Sequence, residues 1–117
     1  MHVLVLDDDD SVVSVLASCL QHCRVTACID PHDALAVIEH DPVDALIVDF
    51  LMPAMPGDEV IRRARALRPD VPVVIVTGFA AAARTLGLQK VHILEKPFTR
   101  TELLKAVAAA QALKRTA

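Results

Sequence analysis

The chain has 117 residues, a hydrophobic fraction of 54% and a formal net charge of −3, which together describe a single domain, residues 1–117, large enough to bury a core. No apolar run approaches the ~20 residues of a membrane span and no export signal opens the chain, so a cytoplasmic location is expected. The mild acidity, with no basic tail or stripe, offers no nucleic-acid footprint.

Cys19, Cys23 and Cys28 are an odd count without a C-x-x-C pair and read as reduced packing thiols. The five histidines share no metal-like spacing and read mostly as surface or strand-end residues.

In chain order, His2 to Leu6 is a short branched run and predicts a central strand buried on both faces. Asp7 to Asp10 follow it. Asp9, Asp10 or Ser11 can cap the next helix, whereas Asp7 and Asp8 fall at the strand's carboxyl end. Val12, Val13, Val15, Leu16, Cys19 and Leu20 recur at helical spacing, giving a helix that should end near His22. Arg24 to Ile29 alternates as a second strand, and Asp30-Pro31 starts a helix that Asp41-Pro42 stops. Ala45 to Val48 is too short for a core helix and lies between turn signals, so it predicts a buried strand with Asp49 at its carboxyl end.

Pro53, Pro56 and Gly57 mark a loop, and Glu59 to Leu67 predicts a helix with Arg62, Arg63, Arg65 and Arg68 on a solvated face. Val71 to Val76 is a strand ending in Thr77-Gly78. Ala80 to Leu86 can form only a short helix before Gly87. Val91 to Leu94 gives a fifth strand, followed by Glu95-Lys96-Pro97-Phe98. Thr99 to Glu102 is a capping box, with Phe98 and Leu103 as a hydrophobic staple, and this last helix runs to about Lys114. Ala108 to Ala117 only finishes it.

Five βα units with right-handed crossovers make an α/β, doubly wound parallel sheet, and the most economical arrangement is flavodoxin-like with strand order 2-1-3-4-5. That order puts Asp7, Asp8 and Asp49 together at the switch point, where three carboxylates either raise a pKa or recruit a hard divalent cation such as Mg²⁺. Thr77 and Lys96 close strands at the same edge. A carboxylate at a metal, flanked by a hydroxyl and an ammonium, is equipped to attack a phosphoryl group and hold the resulting acyl phosphate.

Val-Leu-Asp7-Asp8, Asp49-x-x-Met52-Pro53, Thr77-Gly78 and Lys96-Pro97-Phe98, each after a strand and in this order, resemble a two-component response regulator receiver domain (CheY-like) over nearly the whole chain. The resemblance implies that Asp49 is phosphorylated from a phosphohistidine of a sensor histidine kinase or a histidine phosphotransfer domain. It implies Mg²⁺ (or Mn²⁺) held by Asp8, Asp49 and the backbone carbonyl of Leu51, with Asp7 acting largely through water. It also implies that Thr77 and Lys96 contact the phosphoryl oxygens and that Lys96-Pro97 is a cis peptide. Such a domain catalyses its own phosphorylation and slow dephosphorylation but is primarily a signalling switch, stand-alone or part of a hybrid kinase or larger regulator.

Two departures bear on output. Ile93 stands where the family carries Tyr or Phe, which puts a threonine-aromatic switch through Thr77 in question. The segment from Thr77 to Lys96 is short, truncating the fourth helix and weakening phosphate-driven dimerisation on that face. Gly78 leaves room beside the phosphoryl site, whereas Leu51 and Phe79 place apolar bulk where an attacking water would be oriented, so slow self-hydrolysis is expected. Two other readings stay open: Asp7-x-Asp9-x-Ser11 resembles the nucleophile motif of haloacid-dehalogenase-type phosphohydrolases, with Asp7 as nucleophile, and a non-phosphorylated pseudo-receiver would only bind proteins.

Overall fold

The five apolar runs form strands of five residues each in the structure, a computed structural model that describes residues 1–115. Strand and helix alternate along these residues: β1 (His2–Leu6), α1 (Asp10–Cys19), β2 (Arg24–Cys28), α2 (Pro31–His40), β3 (Ala45–Asp49), α3 (Gly57–Leu67), β4 (Val73–Thr77), α4 (Ala80–Thr85), β5 (Val91–Glu95) and α5 (Arg100–Arg115). All pairings are parallel, in the order β2-β1-β3-β4-β5. This is the doubly wound, flavodoxin-like sheet that the repeating βα pattern predicts.

Strand alternation divides the core into two layers. Leu4, Leu6, Leu46 and Val48 point to the face covered by α2, α3 and α4, where they meet Ile38, Val60 and Ile61. Val3, Val5, Ala45 and Ile47 point to the other face, where α1 contributes Leu16, the residue just after it Leu20, and α5 Leu103. Because both faces are covered, β1 and β4 are buried at every position, which is why they read as unbroken apolar runs.

The helix starts follow the local chemistry of the sequence. Asp9 caps α1 by accepting from the Ser11 amide at 2.9 Å. Asp30 caps α2 by accepting from the His32 amide at 2.8 Å, with Pro31 in the first turn. The capping box forms in both directions: the Glu102 amide donates to Thr99 Oγ1 at 3.1 Å and the Thr99 amide donates to Glu102 Oε1 at 2.9 Å. Phe98 packs into the same core layer as Leu103, as a staple requires. The expectation that Ala108 to Ala117 completes the last helix can be followed to Arg115; Thr116 and Ala117 lie outside the described residues.

Several expectations are corrected. The first helix stops at Cys19, not near His22, because the Leu20 amide turns back to the Ala17 carbonyl at 3.1 Å and drops Leu20 into the core. Val15, expected on the buried stripe, is 56% exposed, since Val13 and Leu16 already fill the face toward the sheet. The third helix begins at Gly57 rather than Glu59. His2, by contrast, is the strand-end residue expected, the first of β1 and buried with the rest of that strand. Its Nδ1 lies 2.8 Å from the Pro42 carbonyl oxygen, which can only accept, so Nδ1 carries the proton, while Nε2 pairs with Thr26 Oγ1 at 2.7 Å.

The arginines of α3 are the largest correction. Arg62 and Arg63 do form exposed ion pairs with Asp58 and Glu59 one turn back. Arg65, however, is half-buried and donates to the carbonyls of Gln89 and Lys90. Arg68, the cap just past α3, is exposed as expected, though its Nε donates to the Ile38 carbonyl at 3.1 Å. These two tie the end of α3 to the α4–β5 turn, in which Lys90 adopts a positive φ of 55°, and to the last turns of α2.

Arg65→Ala should therefore lower the unfolding free energy by about 1–2 kcal/mol, whereas Arg62→Ala and Arg63→Ala should each change it by no more than about 0.5 kcal/mol. Urea denaturation of the three variants checks this, and equal effects at all three positions would contradict it.

Candidate functional site

Sheet register assembles the site. Leu6 lies opposite Val48 and Asp49 opposite Val76, so the residues that follow β1 and end β3 emerge side by side at the carboxyl edge. One oxygen from each of Asp7, Asp8 and Asp49 can be chosen so that all lie within 4.8 Å of one another. The cluster grades from inside to outside: Asp7 is 2% exposed, Asp49 is half-buried and Asp8 is exposed.

Asp7 is held by its own turn. Its amide donates to the Cys28 carbonyl at 3.2 Å, and its Oδ1 accepts the Asp9 amide at 3.0 Å. Oδ2 is buried and has no hydrogen-bond partner among the described residues. Lys96 Nζ stands 3.6 Å from this oxygen and 3.6 Å from Asp49 Oδ1, close enough to pair electrostatically with both and too far for a good hydrogen bond with either. Lys96 is positioned by the end of the sheet: its amide donates to the Thr77 carbonyl at 2.8 Å, and the Lys96–Pro97 peptide is cis, as the resemblance implied.

The electrostatics follow from this geometry. Burial, above all, raises the Asp7 carboxyl from its ordinary pKa; the Asp9 amide opposes the rise and the charge of Asp49 adds to it. Burial likewise raises Asp49, with Lys96 pulling the other way and Asp8 adding repulsion. One ammonium therefore faces three carboxylates, and the edge carries an uncompensated negative charge.

Thr77 ends β4 at 1% exposure, and its Oγ1 accepts the Phe79 amide at 2.9 Å. That bond orients the hydroxyl while leaving its proton free to donate. A Cβ added at Gly78 would meet nothing within 4 Å, so the ground beyond Thr77 is open. Leu51 and Phe79, on the loops flanking Asp49 and Thr77, are 54% and 60% exposed. Ile93 sits on β5 opposite Ile75 and packs, partly buried, into the core layer beneath α3 and α4. Asp7, Asp8, Asp49, Thr77 and Lys96 thus gather at one sheet edge, Ile93 belongs to the core, and α4 spans only six residues.

A model of the response regulator receiver domain matches residues 3–108. The chain belongs to that family and is a receiver domain of two-component signalling. It is 36% identical over 114 residues to the response regulator MprA of Mycobacterium avium, covering 93% of this chain and 50% of that protein. It is 29% identical to the response regulator receiver protein CpdR of Brucella abortus, covering 90% of this chain and 92% of that one. The chain spans about half the length of the MprA relatives it matches. Among solved structures, a response regulator receiver protein from Sinorhizobium medicae superposes with a TM-score of 0.87 at 27% identity, covering 97% and 96% of the two chains. The receiver domain of the hybrid histidine kinase CckA gives a TM-score of 0.81 at 27% identity, covering 95% and 99%. No helix among the described residues is long and apolar enough to cross a membrane.

The raised carboxyls set a sign for stability against pH. A folded-state pKa above the unfolded one means that Asp7 and Asp49 favour the metal-free fold while protonated. They lose that contribution as pH rises from the unfolded carboxylate range, about 3.9, through their folded values. Asp7→Asn should therefore stabilise the metal-free protein at neutral pH, by about 1 kcal/mol, with the gain shrinking as pH falls toward 4. Melting curves in chelator across this range check it, and a variant less stable than the parent at pH 7 would contradict it.

Proposed function

We propose that Asp49 is the phosphoacceptor of this receiver and takes its phosphoryl group from a phosphohistidine of a sensor histidine kinase or histidine phosphotransfer domain. The observation that carries the reading is the pairing of Lys96 with both Asp7 and Asp49 at a half-buried acidic edge. Asp49 supplies a carboxylate oxygen as nucleophile. Burial strips some of its water and raises its pKa, and Lys96 opposes that rise and the repulsion of Asp8. As the P–N bond of the donor breaks, the phosphoryl group passes to an Asp49 oxygen, and the histidine nitrogen leaves with the bonding pair. In this reading Lys96 and the Thr77 hydroxyl would donate to the phosphoryl oxygens.

The donor set suits a hard divalent cation. Three carboxylates converge on the one ammonium of Lys96, and Asp7 Oδ2 is buried without a hydrogen-bond partner among the described residues, a state that calls for more positive charge. Asp8, Asp49 and the Leu51 carbonyl would hold Mg²⁺ (or Mn²⁺), with Asp7 acting largely through water. The ion's chemistry when bound is to neutralise the charge that gathers on the phosphoryl oxygens.

The dehalogenase-type reading would need Asp7 as nucleophile. Its burial supports a supporting role instead, whereas Asp49 is the more accessible of the pair. A pseudo-receiver is disfavoured by the full set of Asp7, Asp8, Asp49, Thr77 and Lys96. Slow self-hydrolysis belongs to the same reading, since Leu51 and Phe79 offer a water no hydrogen-bonding side chain. With Ile93 in the core and no ring to exchange places with Thr77, output from Asp49 runs by another route than a threonine-aromatic switch. Residues 1–117 act as one domain in this reading, on their own or beside an output unit of a longer protein.

The test is labelling by a small phosphodonor in Mg²⁺. Asp49→Ala should abolish the mass gain of one phosphoryl group, whereas Asp7→Asn should slow labelling by about 10-fold or more without moving it. Labelling that survives loss of Asp49 and vanishes with Asp7 would establish the dehalogenase-type alternative.

A further inference from the structure

Gly57 reads in the sequence as a loop mark, yet it is the first residue of α3 and is buried against the strand that carries Asp49. Its amide donates to the Phe50 carbonyl at 2.9 Å, closing the loop 50–56 on itself. A Cβ built on Gly57 would lie 2.4 Å from the Asp49 carbonyl oxygen and 2.9 Å from Phe50 Cα. Both are main-chain atoms, so no side-chain rotation relieves the contact. Gly57 is not among the positive-φ residues. Glycine stands here because backbone approaches backbone, not because the turn needs special dihedrals.

Neither side of this contact can retreat cheaply. Val60, Ile61 and Ala64 fix α3 in the core one and two turns on, and Met52 and Met55 anchor the intervening loop, all of them buried. On the other side, Asp49 is paired in the sheet with Val76. Added bulk at residue 57 must therefore displace the Asp49–Phe50 main chain, which carries the Asp49 carboxylate and leads directly to the Leu51 carbonyl.

We propose that Gly57 is a positioning residue of the acidic site: α3 seats directly on the Asp49–Phe50 peptide, and this seating fixes the Asp49 carboxylate and Leu51 carbonyl relative to Asp7 and Asp8. Gly57 thereby sets divalent-cation affinity without touching the ion. The inference rests on the cation site proposed above.

The experiment compares Gly57→Ala with Ala64→Gly, which loosens the same helix away from Asp49, by Mg²⁺ titration calorimetry and thermal melting. Gly57→Ala should weaken Mg²⁺ binding by about 10-fold or more, while Ala64→Gly lowers the melting temperature and keeps Mg²⁺ affinity within about twofold of the parent. A folded Gly57→Ala protein with parental Mg²⁺ affinity overturns the inference, as does equal loss of affinity in both variants. Should Gly57→Ala fail to fold, the parent chain decides by amide NMR. The Gly57 resonance should shift along the same Mg²⁺ isotherm as Asp49, and a Gly57 amide that stays still while Asp8 and Asp49 shift overturns it. A parent chain that binds no Mg²⁺ at all brings down the cation site itself, and this inference with it.

Discussion

Three carboxylates facing one ammonium is the constraint on which the rest of this molecule depends. Asp7, Asp8 and Asp49 meet because strands β1 and β3 are neighbours at the switch point of the sheet, and Lys96 stands between Asp7 and Asp49 without fully satisfying either. Such a cluster opposes folding when ionised, since burial and mutual repulsion both penalise the charge. It persists because the scaffold holds it: two buried core layers, four parallel pairings and helix caps on either side fix the strand ends in place. The unbalanced negative charge is relieved when a buried carboxyl takes up a proton, and it is the kind of charge that a divalent cation would compensate.

The same logic explains how the surrounding elements are used. The sheet places the reactive groups, and the helices restrain the loops that carry them. Helix α3 touches the acidic edge at its first residue, where Gly57 lies against the Asp49–Phe50 peptide. Two turns further on, Arg65 grips the carbonyls of Gln89 and Lys90. One helix therefore braces the strand end with Asp49 and the short α4–β5 turn. Ile93, packed beneath α3 and α4, is part of that braced layer rather than a mobile ring.

What was legible in the sequence was local. Branched runs bounded by turn residues gave the strands, and Asp9, Asp30 and the Thr99–Glu102 box gave helix starts, because caps and strands are written in neighbouring residues. Asp7, Asp8, Asp49, Thr77 and Lys96 were legible as one group, since each falls at a strand end and a parallel sheet brings such ends to one edge. What escaped was long-range. His2 is buried through Pro42 and Thr26, Arg65 through Gln89 and Lys90, and Gly57 through Asp49, partners that no periodicity reveals. Val15 was misplaced because helical spacing alone does not say where a helix meets its neighbours.

The central claim, that the phosphoryl group is accepted at Asp49, is tested most directly by trapping the acyl phosphate. The chain would be labelled in Mg²⁺ and reduced with borohydride, which converts only a phosphorylated aspartate to homoserine, and the altered residue then located by peptide mass spectrometry. The account predicts the change at Asp49 and at no other aspartate. A change at Asp7 or Asp8, or labelled protein with no altered aspartate, would contradict it.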